Sequence, residues 1–240
     1  MLLSEPIYSQ TTHEATINTT AILATNLAKH VGEGTNKIEI LNNLNLQVEQ
    51  GESVAIVGSS GSGKSTLLAL LAGLDVPTSG LVEVAGKAFS ALDEDARAAM
   101  RGAQMGFVFQ SFQLLPTMTA LENVMLPMLL SNRKGAKQMA IETLEKVGLA
   151  ERLQHYPKQL SGGEQQRVAI ARAFAPQPAI LFADEPTGNL DIATGERIIE
   201  LLFSLNQQSN ATLILVTHDA QLAQRCGRTL HLEQGKLSTK

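Results

Sequence analysis

The chain has 240 residues, and 44% of them are hydrophobic, which is enough to build the core of one large domain. Its formal net charge of -4 at pH 7, without a dense run of Lys or Arg, argues against nucleic acid as the main partner. The single cysteine, Cys226, excludes an internal disulfide framework and a cysteine metal cluster, and it fits a reducing cytosol.

The first segment, residues 1–18, is polar and has neither the basic start nor the sustained apolar run of a signal peptide. We expect it to form a flexible tail. Further along, even the apolar run VMLPMLL (124–130) is too short to span a bilayer and is broken by Pro127. The sequence therefore predicts no direct insertion into a membrane.

Two stretches with alternating polarity follow the tail. They are AILATNLAKHV (21–31) and IEILNNLNLQVE (38–49), and we interpret them as antiparallel strands joined by a turn at GEGTN (32–36). After residue 50, short apolar runs alternate with helical patterns, which is typical of parallel strands connected by helices. The predicted core strands are VAIVG (54–58), GFVFQ (106–110), AILFADE (179–185), ATLILVTHD (211–219) and RTLHLE (228–233).

Helical patterns fill the long interval between GFVFQ and AILFADE. They include ALENVMLPMLL (120–130), GAKQMAIETLEKVGL (135–149) and GGEQQRVAIARAFA (162–175). We interpret this interval as a helical subdomain at approximately 111–176, inserted in one α/β domain that covers 19–240. The fold predicted is thus an α/β core with a parallel sheet, an N-terminal antiparallel β subdomain and an inserted helical subdomain.

The stretch GSSGSGKS (58–65) lies between a predicted strand and a predicted helix and fits the pattern G-x-x-x-x-G-K-[ST]. In that context the glycines turn successive backbone N–H groups inward, and the helix N-terminus adds partial positive charge, so the loop can hold phosphate groups. Lys64 would contact the β- and γ-phosphates of ATP, and the Ser65 hydroxyl would ligate Mg²⁺. The predicted ATP-binding residues here are Gly58, Ser59, Ser60, Gly61, Ser62, Gly63, Lys64, Ser65 and Thr66. A flexible serine-glycine turn is the alternative.

The strand ILFADEP (180–186) ends in two adjacent carboxylates. If this strand lies beside the phosphate loop, Asp184 would hold Mg²⁺ through water and Glu185 would polarise the attacking water. Two acids solvated in a strand-end turn are the alternative.

The segment LSGGEQQR (160–167) contains Ser161 and Glu164 at capping-box spacing, so a well-capped helix is its simplest interpretation. That interpretation leaves Gly162 and Gly163 unexplained, because glycine in a first turn weakens a helix but exposes N–H groups to a phosphate. A second anion site, serving the nucleotide of a neighbouring copy, would explain them. Head-to-tail dimerisation follows as a hypothesis.

Taken together, these motifs resemble those of ATP-binding cassette (ABC) ATPases from about residue 20 onward. The resemblance implies ATP hydrolysis by a dimer that encloses two ATP molecules, each between one subunit's phosphate loop and the other's LSGG segment. It implies that Gln110 touches Mg²⁺ and senses the transport partner, that His218 contacts the γ-phosphate, and that Asp191 of GNLD reaches across the dimer. Taken alone, Gln110 is equally an ordinary strand-end amide, and His218 a residue at a helix start.

The segments FVFQSFQLLPTMTALENVMLPML and DEPTGNLD are similar to the branch of the family that includes the LolD and MacB-like ATPases, and LAGLDVPTSG, FADEPTGNLD and LLFSLN most resemble YbbA-type proteins. This resemblance implies an ATPase on the cytoplasmic face of a bacterial inner membrane. Its partner would be a permease with a periplasmic domain, and the pair would export or extract a hydrophobic or lipid-like substrate. Regulation of a periplasmic or cell-wall factor without transport is one alternative, and a non-transport ABC module is another.

Two further features concern the contacts of the ATPase. Where relatives place an aromatic residue to stack on adenine, this chain has His30, so the base contact differs or His30 has only a structural role. A stripe at helical spacing, containing Leu121, Val124, Met125, Met128 and Leu129, with Met100, Met105 and Met118 nearby, belongs either to the core or to a groove that accepts a permease helix.

Overall fold

The structure is a computed structural model that describes residues 20–32 and 37–238. The tail predicted at 1–18 and most of the turn predicted at 32–36 lie outside the described residues.

A three-stranded antiparallel sheet contains β1 (Thr20–Val31), β2 (Ile38–Glu49) and β4 (Ser79–Val84), in the order β2-β1-β4. Alternate residues of β2 are buried, namely Leu44, Leu46 and Val48, because successive side chains of a strand point to opposite faces. The antiparallel pairing of β1 with β2 confirms the sequence prediction. Strand β4 was not predicted.

A six-stranded sheet has the order β5-β6-β7-β3-β8-β9. Its strands are β3 (Ser53–Val57), β5 (Met105–Phe109), β6 (Ile180–Asp184), β7 (Thr212–Thr217), β8 (Arg228–Glu233) and β9 (Lys236–Ser238). All pairs are parallel except β8 with β9. The α/β fold with a parallel core sheet and an N-terminal antiparallel sheet is thereby confirmed.

Seven α-helices lie within the described ranges. They are α1 (Lys64–Leu71), α2 (Glu94–Gln104), α3 (Ala120–Leu130), α4 (Ala136–Lys146), α5 (Gly162–Phe174), α6 (Ile192–Ser209) and α7 (Ala220–Ala223). Between β5 and β6 the chain forms α3, α4 and α5, together with short 3-10 turns at Ala150–Arg152 and Pro157–Gln159. The subdomain boundaries at 111–176 stay a prediction.

The helix predicted at 120–130 is observed as α3, which continues through Pro127 to Leu130. Proline removes one N–H donor from the helix ladder, but α3 begins with a complete capping box formed by Thr119 and Glu122. Its buried face, which includes Val124 and Met128, also packs into the core. None of the helices in the described ranges is both long and apolar enough to cross a membrane.

The central sheet is buried on both faces, as parallel sheets usually are. In β6, Leu181 and Ala183 join the core shared with α3 to α6, whereas Ile180 and Phe182 join the core shared with α1 and the antiparallel sheet. Cys226 also lies in the first core, and burial raises the pKa of its thiol to about 12.

The methionine-rich stripe divides between core and surface. Leu121, Val124 and Met128 are buried, so for these three the core interpretation holds. Met125 is partly buried, and Leu129 is 52% exposed.

Candidate functional site

The carboxyl ends of four neighbouring parallel strands bring the predicted site residues together. In the order β5-β6-β7-β3, Gln110 follows β5, Asp184 ends β6, His218 follows β7, and Gly58 follows β3. Residues far apart in the sequence therefore meet at one edge of the sheet, which is where open α/β sheets bind ligands.

The loop between β3 and α1 leaves the first amides of α1 without a side-chain cap. Gly63 is the N-cap residue with a φ of 100°, and Gly61 has a φ of 77°, both in the left-handed region that glycine adopts without strain. Lys64 is only 8% exposed, and its Nζ donates to the carbonyls of Gly58 at 2.8 Å and Ser59 at 2.9 Å. Backbone N–H groups, a helix N-terminus and a buried ammonium thus converge on one concavity.

The two acids that follow β6 have different surroundings. Burial raises the pKa of Asp184, and a hydrogen bond from Ser65 opposes that rise. Glu185 has a φ of 46°, which is strained for a residue with a side chain. Its Oε1 lies 2.8 Å from His218 Nδ1, and its Oε2 accepts from Thr217 Oγ1 at 3.4 Å. The fold therefore holds this carboxylate in one orientation.

Gln110 is hydrogen-bonded to Asn189 of the GNLD loop. Gln110 Nε2 donates to Asn189 Oδ1 at 3.2 Å, and Asn189 Nδ2 donates to the Gln110 carbonyl at 3.0 Å. A Cβ at Gly188 would approach Gln110 Nε2 to 2.6 Å, so a larger residue there would displace the Gln110 side chain. The side-chain amide of Gln110, which the family resemblance predicted to touch Mg²⁺, is thus hydrogen-bonded to the loop that carries Asp191.

A cavity of about 780 Å³ joins these groups. Its lining contains the predicted residues Ser60, Gly61, Gly63, Lys64, Ser65, Thr66, Gln110, Asp184, Glu185 and His218, together with Ile40, which was not predicted. Gly58, Ser59 and Ser62 complete the loop.

The N-terminus of α5 is built differently. Ser161 is the N-cap residue, its Oγ accepts from the Glu164 N–H at 3.3 Å, and its own N–H donates to Glu164 Oε2 at 2.9 Å. These hydrogen bonds from the Ser161 backbone and hydroxyl, with Arg152 nearby, hold the pKa of Glu164 at about 2. The predicted capping box is therefore present.

A separate cavity of about 470 Å³ lies beside this helix start, and Ser161, Gly162, Gly163 and Asp191 all line it. Asp191 caps α6 by accepting from the Thr194 N–H at 3.0 Å. A Cβ at Gly163 would approach Thr194 Cγ2 to 2.6 Å, so this glycine lets α5 lie close to α6. The predicted residues thus fall into two cavities, joined by the pair of Gln110 and Asn189.

His30 does not line the larger cavity among the described residues. Its backbone N–H donates to Thr78 Oγ1 at 3.1 Å. Sequence analysis also missed Thr217, Asn189 and Gln166, whose contacts depend on segments distant in the chain. All three lie inside quoted motifs, namely LVTHD, GNLD and LSGGEQQR, and that was the one signal available.

The donor set fits Mg²⁺ bound together with ATP better than a metal held by protein alone. Within 20–32 and 37–238, no group of three or more His, Cys, Asp or Glu side chains is arranged to hold a metal ion. The hydroxyl of Ser65 in contact with the carboxylate of Asp184 is the kind of hard oxygen set that Mg²⁺ takes alongside substrate phosphates.

Comparison with known proteins agrees with this geometry. A family model described as "ABC transporter" matches residues 41–188. The chain is 57% identical over 217 residues to the ABC transporter ATP-binding protein YbbA of Escherichia coli K12, covering 88% of this chain and 93% of YbbA. It is 48% identical over 223 residues to the lipoprotein-releasing system ATP-binding protein LolD of Legionella pneumophila, covering 92% of this chain and 98% of LolD.

Among solved structures, a dimeric ATP-binding cassette in a post-hydrolysis state with ADP and Pi superposes with a TM-score of 0.83. The two chains are 41% identical, and the match covers 91% of this chain and 98% of that one.

Proposed function

This chain is an ATP-binding cassette of the ABC transporter family and an ATPase, and we propose that it is the motor subunit of a bacterial inner-membrane complex. The resemblance predicted from the motifs, including that to LolD and YbbA, is confirmed. The observation that carries the proposal is the meeting of the phosphate loop, both acids and His218 at one edge of the parallel sheet.

In this proposal the larger cavity binds ATP. Backbone N–H groups of the loop and Lys64 hold the phosphates, since a buried ammonium and uncapped helix amides both favour an anion there. Ser65 and Asp184, with Gln110 once released from Asn189, would hold Mg²⁺, which supplies charge neutralisation at the β- and γ-phosphates.

Glu185 acts as the catalytic base. It accepts a proton from water as the water oxygen attacks the γ-phosphorus, the bond to the bridging oxygen breaks, and ADP and phosphate result. The contact between His218 and Glu185 supports this role, because it fixes the carboxylate at the cavity wall. His218 would then reach the γ-phosphate when ATP is present.

The second cavity completes the site of a neighbouring copy. Ser161, Gly162 and Gly163 would bind the γ-phosphate that the partner's phosphate loop presents, and Asp191 would lie at the same interface. The dimeric arrangement of a cassette 41% identical to this chain supports the proposal. Closure of the dimer on two ATP molecules would be the force-producing step, and hydrolysis would reopen it.

The partner we propose is a permease with a periplasmic domain, and the work is export or extraction of a hydrophobic or lipid-like substrate. The lipoprotein-releasing assignment of LolD supports this choice. The permease would dock beside Gln110, where Leu115 is 40% exposed and Met118 and Met125 are partly exposed. Complexes that survive aspartate substitutions at both methionines would contradict this docking site.

The test compares ATPase activity of the purified chain alone with that of material copurified from membranes, each beside a Glu185→Gln control. We expect a retained membrane protein that changes the rate, and a Glu185→Gln protein that binds ATP but turns over roughly 10²- to 10⁴-fold more slowly. Normal turnover by Glu185→Gln would refute its role as the base. Stimulation by nucleic acid with no membrane protein retained would refute the transport-type function.

A further inference from the structure

Gln166, on the second turn of α5, connects that helix to two loops of the larger cavity. Its side chain is fully buried, and its Nε2 donates to the carbonyl of Pro186 at 2.5 Å and lies 3.5 Å from the carbonyl of Phe109. The first bond is short and buried, and the second is at the limit of a hydrogen bond. One side chain thus reaches from α5 to the ends of β5 and β6.

Both carbonyls adjoin residues of the ATP site. Pro186 directly follows Glu185, whose left-handed φ of 46° must be maintained by its surroundings. Phe109 directly precedes Gln110. Loss of the amide of Gln166 would therefore free the loop that carries the proposed base, and would loosen the strand end that carries Gln110.

Stability alone does not explain the hydrogen bond from Gln166 to the carbonyl of Pro186. The Oε1 of Gln166 is buried and has no hydrogen-bond partner among the described residues. An apolar side chain of similar volume would fill the same space without an unpaired polar atom. What such a side chain would lack is the donor to Pro186.

We propose that Gln166 is a positioning residue that couples the start of α5 to Glu185 in the same subunit. When a partner's nucleotide engages Ser161 and Gly163, any shift of α5 would move Gln166 and, through Pro186, the carboxylate of Glu185. Each subunit would thereby sense in its own active site that its second cavity is occupied. This inference rests on the proposed roles of Glu185 and of the second cavity.

The test uses the full chain with Gln166→Met, which keeps the volume and removes the donor. Gln165→Met is the matched control, because Gln165 is next along the helix and its side chain donates to the carbonyl of Leu160 at 3.0 Å rather than to the loops of the larger cavity. We expect Gln166→Met to lower kcat by about tenfold to hundredfold, the effect of a misplaced catalytic group, while KM and ATP affinity stay within about twofold. Gln165→Met should keep wild-type kcat.

A second readout separates positioning from folding. ATP-dependent dimerisation in a Glu185→Gln background should persist with Gln166→Met, because neither cavity loses a ligand-binding group. Equal loss of kcat and of ATP affinity, or unchanged kcat, overturns the inference. If neither Gln166→Met nor Gln166→Leu folds, the residue is a stabilising one and the inference is also overturned. Normal turnover by Glu185→Gln itself would instead refute the proposed function.

Discussion

The helices α1 and α5 both begin in a segment of glycine and serine beside a cavity, yet their N-termini differ. At α1 the N-cap residue is Gly63, which has no side chain with which to cap the first amides. At α5 the N-cap residue is Ser161, and a complete capping box pairs the amides of Ser161 and Glu164. The first site includes the buried Lys64 together with Asp184 and Glu185, and the second has Glu164, Arg167 and Arg197 among its lining residues.

This difference in capping indicates that the two helix starts have different roles in binding a phosphate group. Uncapped amides and a buried cation bind an anion without help. At the start of α5 the amides of Ser161 and Glu164 are already paired within the capping box, so fewer donors are left there for an anion. Under the proposed function, the start of α1 would hold ATP in an isolated subunit, and the start of α5 would respond to ATP held by a partner.

Lys64→Ala should produce the largest change. Removing a buried ammonium from the phosphates should lower ATP affinity by roughly tenfold to hundredfold, the worth of a charge-assisted hydrogen bond. Titration calorimetry at a protein concentration where the chain is monomeric measures this. Ser161→Ala, measured alongside, should leave monomer affinity unchanged. Equal losses in both variants would remove the distinction between the two helix starts.

Gly163→Ala should have the second-largest effect, because the added methyl would collide with Thr194 Cγ2. We expect the free energy of unfolding to fall by about 1–3 kcal/mol, as for other overpacked contacts, and ATP-dependent dimerisation to weaken. Urea denaturation and size-exclusion chromatography measure the two effects.

Two variants serve as controls for this prediction. Thr194→Ser combined with Gly163→Ala should recover the stability, because it removes the colliding methyl. Gly162→Ala should cost less, since its nearest neighbour is Leu190 Cδ2 at 3.4 Å. Equal destabilisation by Gly162→Ala would mean that packing against α6 is not what requires glycine at 163.

Glu164→Ala should have a smaller effect, with a defined pH dependence. Loss of the capping box should lower the free energy of unfolding by about 1 kcal/mol at neutral pH. The folded state depresses the pKa of Glu164 from 4.5 to about 2, so its stabilisation is complete above pH 4.5 and is lost as the pH falls towards 2. The difference between wild type and variant should shrink over that interval.

Denaturation curves at several pH values test the prediction for Glu164. Glu200→Ala, at an exposed position of α6, should stay within about 0.5 kcal/mol of wild type. A difference between wild type and Glu164→Ala that is constant down to the acid limit of the folded state would contradict a charged capping box.

His30→Ala should have the smallest effect, a change in ATP affinity of less than about threefold, because histidine offers little area for stacking on a base. His30→Tyr should bind ATP more tightly if the base lies over this position. Fluorescence titration with a labelled nucleotide resolves both. A large loss with His30→Ala would assign base recognition to this residue.

Much of the fold was predictable because its signals are local. Strands β3, β5, β6 and β7 of the central sheet are largely apolar runs, and helix α3 has the predicted bounds Ala120–Leu130. Strand β4 was missed because Gly80, its second residue, is a glycine in a left-handed conformation, which is typical of a turn rather than of a strand. Strand β9 has only three residues.

The site residues also divide into those with a local sequence signal and those without one. Lys64, Asp184 and Glu185 lie in contiguous motifs, and they were found. Gln166 and Asn189 act through partners 20 and 79 residues away, so nothing in their local sequence reports the contact. Gln110 was predicted to touch Mg²⁺, and its pairing with Asn189 became visible only when the sheet order placed β5 beside β6.

The buried thiol of Cys226 makes this chain a convenient starting point for site-directed labelling. With its pKa near 12, the thiol has almost no thiolate at neutral pH, and its burial keeps reagents away. Ile192 is 85% exposed beside Asp191, so a cysteine introduced there into the otherwise wild-type chain would be its one reactive thiol. Spin or fluorescence probes attached there would report the distance between two subunits without any prior cysteine removal.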